Sequence, residues 1–269
     1  MCGRFTLTVP SYDELATALG VTPSPDAAAI YRPRYNLPPT DPAWILRMSH
    51  GQKELVGSSW GIVPRWSKYK EQGGRPINAR AESAMSRPLF RDSLVRRRCA
   101  VVADGFLEWE KIGKERRPYW IRPADGGLLL MGGIWDRWRD EAGERLETFS
   151  ILTTAANDDV APLHDRMPVV IARADLAVWL AEPTSEQASD LPLEVFDLMR
   201  PAPAGTLVRT RVSKRVGSVK NDDPACLEPP SAEELDDDGT RPAAPSRRAR
   251  AKPAPSMPLF EATDDRRKA

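Results

Sequence analysis

The second residue of the chain is a cysteine, Cys2. Methionine aminopeptidases remove an initiator methionine when residue two is small, and cysteine qualifies. The mature chain would then begin with a 1,2-aminothiol. Its α-amine has an ordinary pKa of about 7.7–8.0 and its thiol one of about 8.5, so a useful fraction of the amine is neutral near pH 7. A neutral amine attacks an aldehyde to give an imine. The neighbouring sulfur can add to the imine carbon and close a five-membered thiazolidine, a step favoured by high effective molarity. A small residue buried at the start of a strand would have the same type and place, so position alone leaves both readings open.

Two further groups could move protons. His164, in Leu163-His164-Asp165-Arg166-Met167-Pro168, follows a strand and a turn-prone stretch. Loops at strand ends commonly carry catalytic groups, and a histidine there can shuttle protons near pH 7. An ordinary surface histidine fits the same place. Glu108 lies between apolar neighbours in Asp104-Gly105-Phe106-Leu107-Glu108-Trp109. Burial there would raise its pKa and make it a usable general acid; a strand-face glutamate in a salt bridge fits as well. His50, beside Gly51 in a polar turn, reads as a surface residue. Asn78 and Arg80 stand in a compact polar segment, where the amide could orient a reacting group and the guanidinium hold a phosphate. Arg87, Arg91 and Arg96-Arg97-Arg98 extend that basic character, either as a binding surface or as a solvated face. Trp60, Pro64 and Trp66 suggest a loop that stacks on bases, although packed tryptophans have the same signature.

Totals narrow the class. The 269 residues suffice for one large domain or two small ones, and 41% hydrophobic content supports a core. Cys2, Cys99 and Cys226 form a sparse, odd set without paired spacing. This argues against a disulfide framework and a zinc site, and fits a reducing compartment. No metal and no cofactor is expected. With no long apolar run and no apolar core near the N-terminus, neither a membrane span nor a signal peptide is expected, which makes a cytoplasmic, nucleoid-associated location the default. Residues 221–269 carry 8 basic and 11 acidic side chains, leaving 31 and 27 in residues 1–220. The body is mildly basic, which permits nucleic-acid binding without requiring it.

These groups need elements to position them. Residues 12–19 read as an amphipathic helix with Ser11 as its N-cap, and 21–42 as loop. Residues 43–48 and 54–60 read as strands joined through His50-Gly51, and 61–76 as loop. Residues 81–86, 175–181 and 194–199 have helical character. Residues 99–103, 128–134, 148–154, 169–171 and 205–212 lean to strands. The mixture predicts an α+β fold with a curved, mostly antiparallel sheet and flanking helices. Beyond Asn221, proline, alanine, serine and charge dominate, so 222–269 is expected to be a disordered tail behind a single domain over 1–221. Within the tail, Met257, Leu259 and Phe260 resemble the short peptides that bind the bacterial sliding clamp, with Ser256 where glutamine is usual.

Seven segments, in order, carry a wider resemblance: Met1-Cys2-Gly3-Arg4-Phe5, Arg34-Tyr35-Asn36-Leu37-Pro38-Pro39, Trp60-Gly61-Ile62-Val63-Pro64-Arg65-Trp66, Ile77-Asn78-Ala79-Arg80-Ala81-Glu82, Arg98-Cys99 leading to Asp104-Gly105-Phe106-Leu107-Glu108-Trp109, Leu163-His164-Asp165-Arg166-Met167-Pro168, and Val216-Gly217-Ser218-Val219-Lys220-Asn221. The set resembles the SOS response-associated peptidase family, sensors that crosslink to abasic sites in single-stranded DNA. The resemblance spans roughly residues 2–221. It implies a single domain on a barrel-like sheet. It implies Cys2 as nucleophile, Asn78 positioning the linkage, and Glu108 and His164 transferring protons. Arg4, Arg80, Arg87 and Arg166 would hold the DNA backbone, with Asn36 also in the binding set and Pro39 and Trp66 near bases. Cys99 would be structural. Leu107 stands where the family often has an aromatic, and Ser83 where it often has threonine. Three activities follow as alternatives: covalent capture of abasic sites with an associated lyase reaction, a cysteine peptidase whose minimal act is exposing Cys2, and noncovalent DNA binding.

Overall fold

The computed structural model of the chain describes residues 2–69, 74–183 and 189–237. Along the chain run β1 (Phe5–Leu7), α1 (Tyr12–Leu19), α2 (Pro25–Ile30), β2 (Arg34–Leu37), β3 (Pro42–Ser49), β4 (Gln52–Trp60) and β5 (Asn78–Arg80). Next come α3 (Ala81–Ala84), α4 (Pro88–Arg96), β6 (Arg98–Ala103), β7 (Gly105–Ile112), β8 (Glu115–Pro123), β9 (Leu129–Arg139) and β10 (Arg145–Ala155). The described chain ends with β11 (Arg166–Pro168), α5 (Leu176–Leu180), α6 (Leu193–Asp197), β12 (Leu207–Arg211) and α7 (Ala232–Asp237). No helix among the described residues is long and apolar enough to cross a membrane.

The strands form two sheets. In one, β10, β4, β3, β6 and β9 follow in order and β9 pairs back onto β10, closing a five-stranded barrel, with β5 and β11 added along β10. Its pairings are antiparallel except those of β10 with β4 and β5. The other sheet has the order β12–β8–β7–β1–β2 and is antiparallel throughout. The fold is therefore α+β with a curved, mostly antiparallel sheet, as expected.

Local sequence explains several elements. Ser11 accepts a hydrogen bond from the Glu14 amide at the start of α1, and Gly20 ends the helix in the left-handed region. The β3–β4 hairpin turns on His50 and Gly51, both at positive φ (52° and 74°), the backbone that matches strand twist in a two-residue loop. His50 is thus a turn residue, as its neighbours suggested. In β6, Cys99, Val101 and Ala103 join the core shared with the second sheet. Ala100 and Val102 face the core beneath α1, α4 and α5. Both faces being covered, β6 reads as an unbroken apolar run.

Several expectations need correction. The segment read as loop over 21–42 contains α2 and β2. Ser24 caps α2 and Pro25 opens it, so its proline and small residues serve as helix-start signals. The strand expected at 169–171 is β11, at Arg166–Pro168, with Val170 making only an isolated bridge to Met131. The domain does not end at Asn221. Asp222 accepts hydrogen bonds from the Tyr35 and Asn36 amides (2.7 and 3.0 Å) and from Arg34 Nε (2.5 Å). Cys226 is fully buried, and α7 follows. An isolated acid-rich stretch would not hold structure, but Asp222 binds amides that β2 presents in fixed positions. The rest of the expected tail, including Met257, Leu259 and Phe260, lies outside the described residues.

Gly105, where β6 turns into β7, marks a close approach. A Cβ there would stand 2.1 Å from Trp120 Nε1 and 2.9 Å from the Ile121 carbonyl oxygen. The indole is held in place by donating to Thr6 Oγ1 at 3.0 Å. Gly105→Ala should therefore destabilise the protein by about 1–3 kcal/mol through overpacking. A denaturant midpoint equal to that of the parent would refute this contact.

Candidate functional site

Cys2 lies just ahead of β1, and β1 is held between β2 and β7. The Leu107 amide donates to the Arg4 carbonyl at 3.0 Å, so the backbone leading to Cys2 is stitched to β7. Cys2 is 1% exposed. From the barrel side Asn78 Nδ2 donates to the Cys2 carbonyl oxygen at 2.8 Å. Asn78 is placed by β5, which pairs with β10 at Ile151, where the Ile151 amide donates to the Ile77 carbonyl. Asn78 Oδ1 is buried and has no hydrogen-bond partner among the described residues, leaving an acceptor for a group near Cys2.

From the second sheet comes Glu108, on β7 opposite Tyr119 and 6% exposed. Burial first, and the Glu108 charge second, push the Cys2 thiol well above its ordinary range. The thiol therefore rests protonated. Cys99 is buried in β6 and its thiol is likewise raised by burial, with only the Arg47 charge opposing. It packs, in keeping with the structural role expected of it.

His164 sits on the loop between β10 and β11. That loop is closed by the Ala156 amide donating to the Asp165 carbonyl and the His164 amide donating to the Val160 carbonyl. The ring's Nδ1 accepts the Arg166 amide at 3.0 Å and lies 2.7 Å from Asp165 Oδ1. Nδ1 cannot accept one and donate to the other in a single state. The neutral ring accepts from the amide and carries its proton on Nε2; the imidazolium would turn to Asp165, whose side chain is 83% exposed. The ring partners of His164 belong to its own loop. Asn78 is thus joined to Cys2 directly and Glu108 through its charge on the thiol, while the ring partners of His164 are Arg166 and Asp165.

The DNA-binding candidates divide. Arg80 and Arg87 are exposed. Trp66 is 57% exposed on a loop anchored by the Arg65 amide and Nε donating to Asp136. Pro39 is partly exposed. Tyr69, 70% exposed on the same loop as Trp66, went unnoticed in the sequence, although an aromatic in a polar, glycine-flanked loop is a usable signal. Arg166 already binds Glu82 through two bonds of 2.6 and 2.8 Å, and the Thr153 carbonyl at 2.5 Å. The hydrogen bonds from Arg166 hold the Glu82 carboxyl below the usual range. Arg4 donates to Asn36 Oδ1 (2.6 Å) and the Val216 carbonyl (3.2 Å) and lies over the Trp109 ring.

Asn36 is not a surface contact. It is fully buried, and its Nδ2 donates to the carbonyls of Val216, Ser218 and Asn221. With Oδ1 taken by Arg4, no polar atom remains for DNA; the amide ties the C-terminal segment to β2. Trp60 and Pro64 are also buried. Trp60 stacks on Phe149 and donates to the Ile77 carbonyl, so it is core rather than a base platform. The Arg96-Arg97-Arg98 run is not a basic surface either. Arg97 pairs with Asp92 and Asp136. Arg98 donates to the carbonyls of Leu94, Val95, Trp179 and Ala181 and is lowered to about 10 by burial. Helix-end carbonyls, which lack intrahelical donors, are what draw it inward.

Residues 1–219 match the family model described as SOS response associated peptidase (SRAP). The abasic site processing protein YoqW of Bacillus subtilis is 31% identical over 230 residues, covering 85% of this chain and 99% of that protein. The abasic site processing protein YedK of Escherichia coli is 30% identical over 236 residues, covering 85% and 100%. The abasic site processing protein HMCES of Gallus gallus is 33% identical over 233 residues, covering 74% and 67%. A crystal structure of a Bacteroides thetaiotaomicron protein superposes with a TM-score of 0.74 at 24% identity, covering 85% of this chain and 99% of that one, which speaks to the fold. By the extent of the family match and these identities, the chain belongs to the SOS response associated peptidase family.

Proposed function

We propose that this protein processes DNA damage by capturing abasic sites in single-stranded DNA as a covalent thiazolidine on Cys2. The observation that carries the reading is the hydrogen bond by which Asn78 grips the Cys2 carbonyl from the barrel, with the charge of the buried Glu108 on the second sheet acting on the same residue's thiol. The names of the curated relatives, abasic site processing proteins, support the substrate.

An abasic site is a deoxyribose in equilibrium with its open aldehyde. Glu108 assists ring opening by proton transfer. The neutral α-amine of Cys2 adds to the aldehyde carbon, and the carbinolamine loses water to form an imine. The Cys2 sulfur then bonds to the imine carbon, its proton leaving and the nitrogen gaining one. The balance is one aminothiol plus one aldehyde giving one thiazolidine and one water. Asn78 keeps the residue from rotating, and its open Oδ1 can accept from the amine or the carbinolamine hydroxyl. His164 handles protons during imine formation and reversal, and Arg80, Arg87 and Arg166 hold the DNA backbone. The imine also makes the adjacent sugar C–H acidic, so β-elimination is a side route and a lyase activity accompanies capture. Hydrolytic release of Met1 is the minimal form of the peptidase activity that the family's name implies.

Intact-mass measurement after incubation with abasic single-stranded DNA tests the reading. The expected product is one adduct localised to Cys2. Cleaved peptides without an adduct, or binding alone, would replace capture with peptidase or noncovalent function. Glu108→Gln and His164→Gln should each slow single-turnover capture by about 10²–10⁴-fold while leaving DNA affinity intact. Weakened binding at an unchanged rate would move them out of the chemistry.

A further inference from the structure

Alternation along β7, β8 and β12 sorts their side chains onto two faces. The register sets Phe106 opposite Ile121, Glu108 opposite Tyr119 and Glu110 opposite Arg117, and sets Arg211 on the far side of Tyr119. All of these share one face. Its inner end, Phe106 and Ile121, is buried in the same core as Cys2. The other face, with Leu107, Trp109 and Trp120, packs under the C-terminal segment at Val212, Val216 and Cys226. Past the core, the first face continues as Glu108, Tyr119 and Arg211 in one row across three strands, with Arg117 two residues along β8 from Tyr119.

Adjacent strands lie about 4.8 Å apart, so Arg211 is roughly 10 Å from Glu108 across the sheet. The Tyr119 phenol is raised by burial and by Glu110, to which its hydroxyl donates at 3.2 Å, and is pulled back by the charges of Arg211 and Arg117. By register Arg211 stands directly across from Tyr119, and Arg117, two residues along β8, lies 3.9 Å from Glu115. Both arginines are partly buried and already engaged within the protein, so an incoming phosphate would join or replace a present partner. Arg80 occupies the corresponding place on the other flank: it is two residues past Asn78 on β5, on the same strand face, and exposed. Arg80 thus ends the strand that binds Cys2 from the barrel, and Arg211 belongs to the sheet that carries Glu108.

We propose that Arg211, with Arg117 and Tyr119, forms a second nucleic-acid subsite, holding the phosphodiester and nucleotide that flank the lesion on the side across Cys2 from Arg80. The location of the lesion rests on the abasic-site reading above; binding of a flanking strand does not.

The test uses the full chain and a single-stranded oligonucleotide carrying a tetrahydrofuran abasic analogue, which lacks the aldehyde and so reports binding alone. Arg211→Gln should weaken affinity by about tenfold and reduce the slope of log K against log salt by about 0.7, the share of one phosphate on a single strand. Arg211→Lys should recover part of both. Tyr119→Leu should weaken binding several-fold with the salt slope unchanged, as loss of a stacked base does. Arg122→Gln serves as control, because Arg122 lies over Trp120 on the opposite face. With abasic DNA at saturation, Arg211→Gln should capture at the parent rate. Folded Arg211→Gln with parent affinity and slope overturns the proposal, as does an equal loss from Arg122→Gln. A rate defect at saturation without an affinity defect overturns it too. Should Arg211→Gln fail to fold, the Tyr119→Leu affinity decides by the same standard. Failure of wild-type protein to form any adduct, with these binding effects intact, would sink covalent capture and leave the subsite standing.

Discussion

Cys2→Ala is expected to abolish the stable crosslink to abasic DNA. The variant keeps the α-amine and can still form an imine, but without sulfur no ring closes and water reverses the adduct. Cys2→Ser should give at most a reversible, reducible imine, because a hydroxyl adds to imines far less readily than a thiol. Cys2 is almost fully buried, so the alanine variant removes one packed atom and costs the fold little. A denaturant midpoint within about 1 kcal/mol of the parent would separate lost chemistry from lost structure. The pH profile should show the same logic. The thiol is held above its ordinary range by burial and by Glu108, so it does not supply thiolate near neutrality. The rate should instead rise with pH as the amine loses its proton. A heat-stable crosslink from Cys2→Ala at the parent rate would end the thiazolidine mechanism.

Retention of Met1 is expected to have an equally complete effect. The Cys2 nitrogen would then be an amide, whose lone pair is delocalised into the carbonyl and does not attack an aldehyde. The thiol alone gives only a labile hemithioacetal. Protein verified by mass to keep Met1 should give no adduct, and trimming the same sample with methionine aminopeptidase should restore it. Full activity of the untrimmed sample would show that the α-amine is not the nucleophile.

Much of this protein is legible in its amino-acid sequence. The helix at 12–19 announces itself through Ser11 and its apolar spacing, and the 43–60 hairpin through His50-Gly51, because both signals are local. The β7–β8 hairpin is not marked in the same way: Glu110, Lys111, Lys114, Glu115, Arg116 and Arg117 give it the look of a charged loop. Its alternation makes sense only with one face on the Cys2 core and the other under the C-terminal segment.

The proposed chemistry is legible in the sequence. An aminothiol exposed by loss of Met1 would have its reactivity in its own covalent structure, and the ordered motifs around Asn78, Glu108 and His164 carry the family resemblance. Which charges are buried was decided by tertiary structure. Arg98 and Arg80 look alike in the chain, yet Arg98 meets four carbonyls inside the protein while Arg80 is exposed. Asn36 stood in a family motif as readily as Asn78. The fold spends Asn36 on the C-terminal segment and sets Asn78 on Cys2. A residue type fixes what a side chain can donate or accept; only the packed strands determine what lies within about 3 Å to receive it.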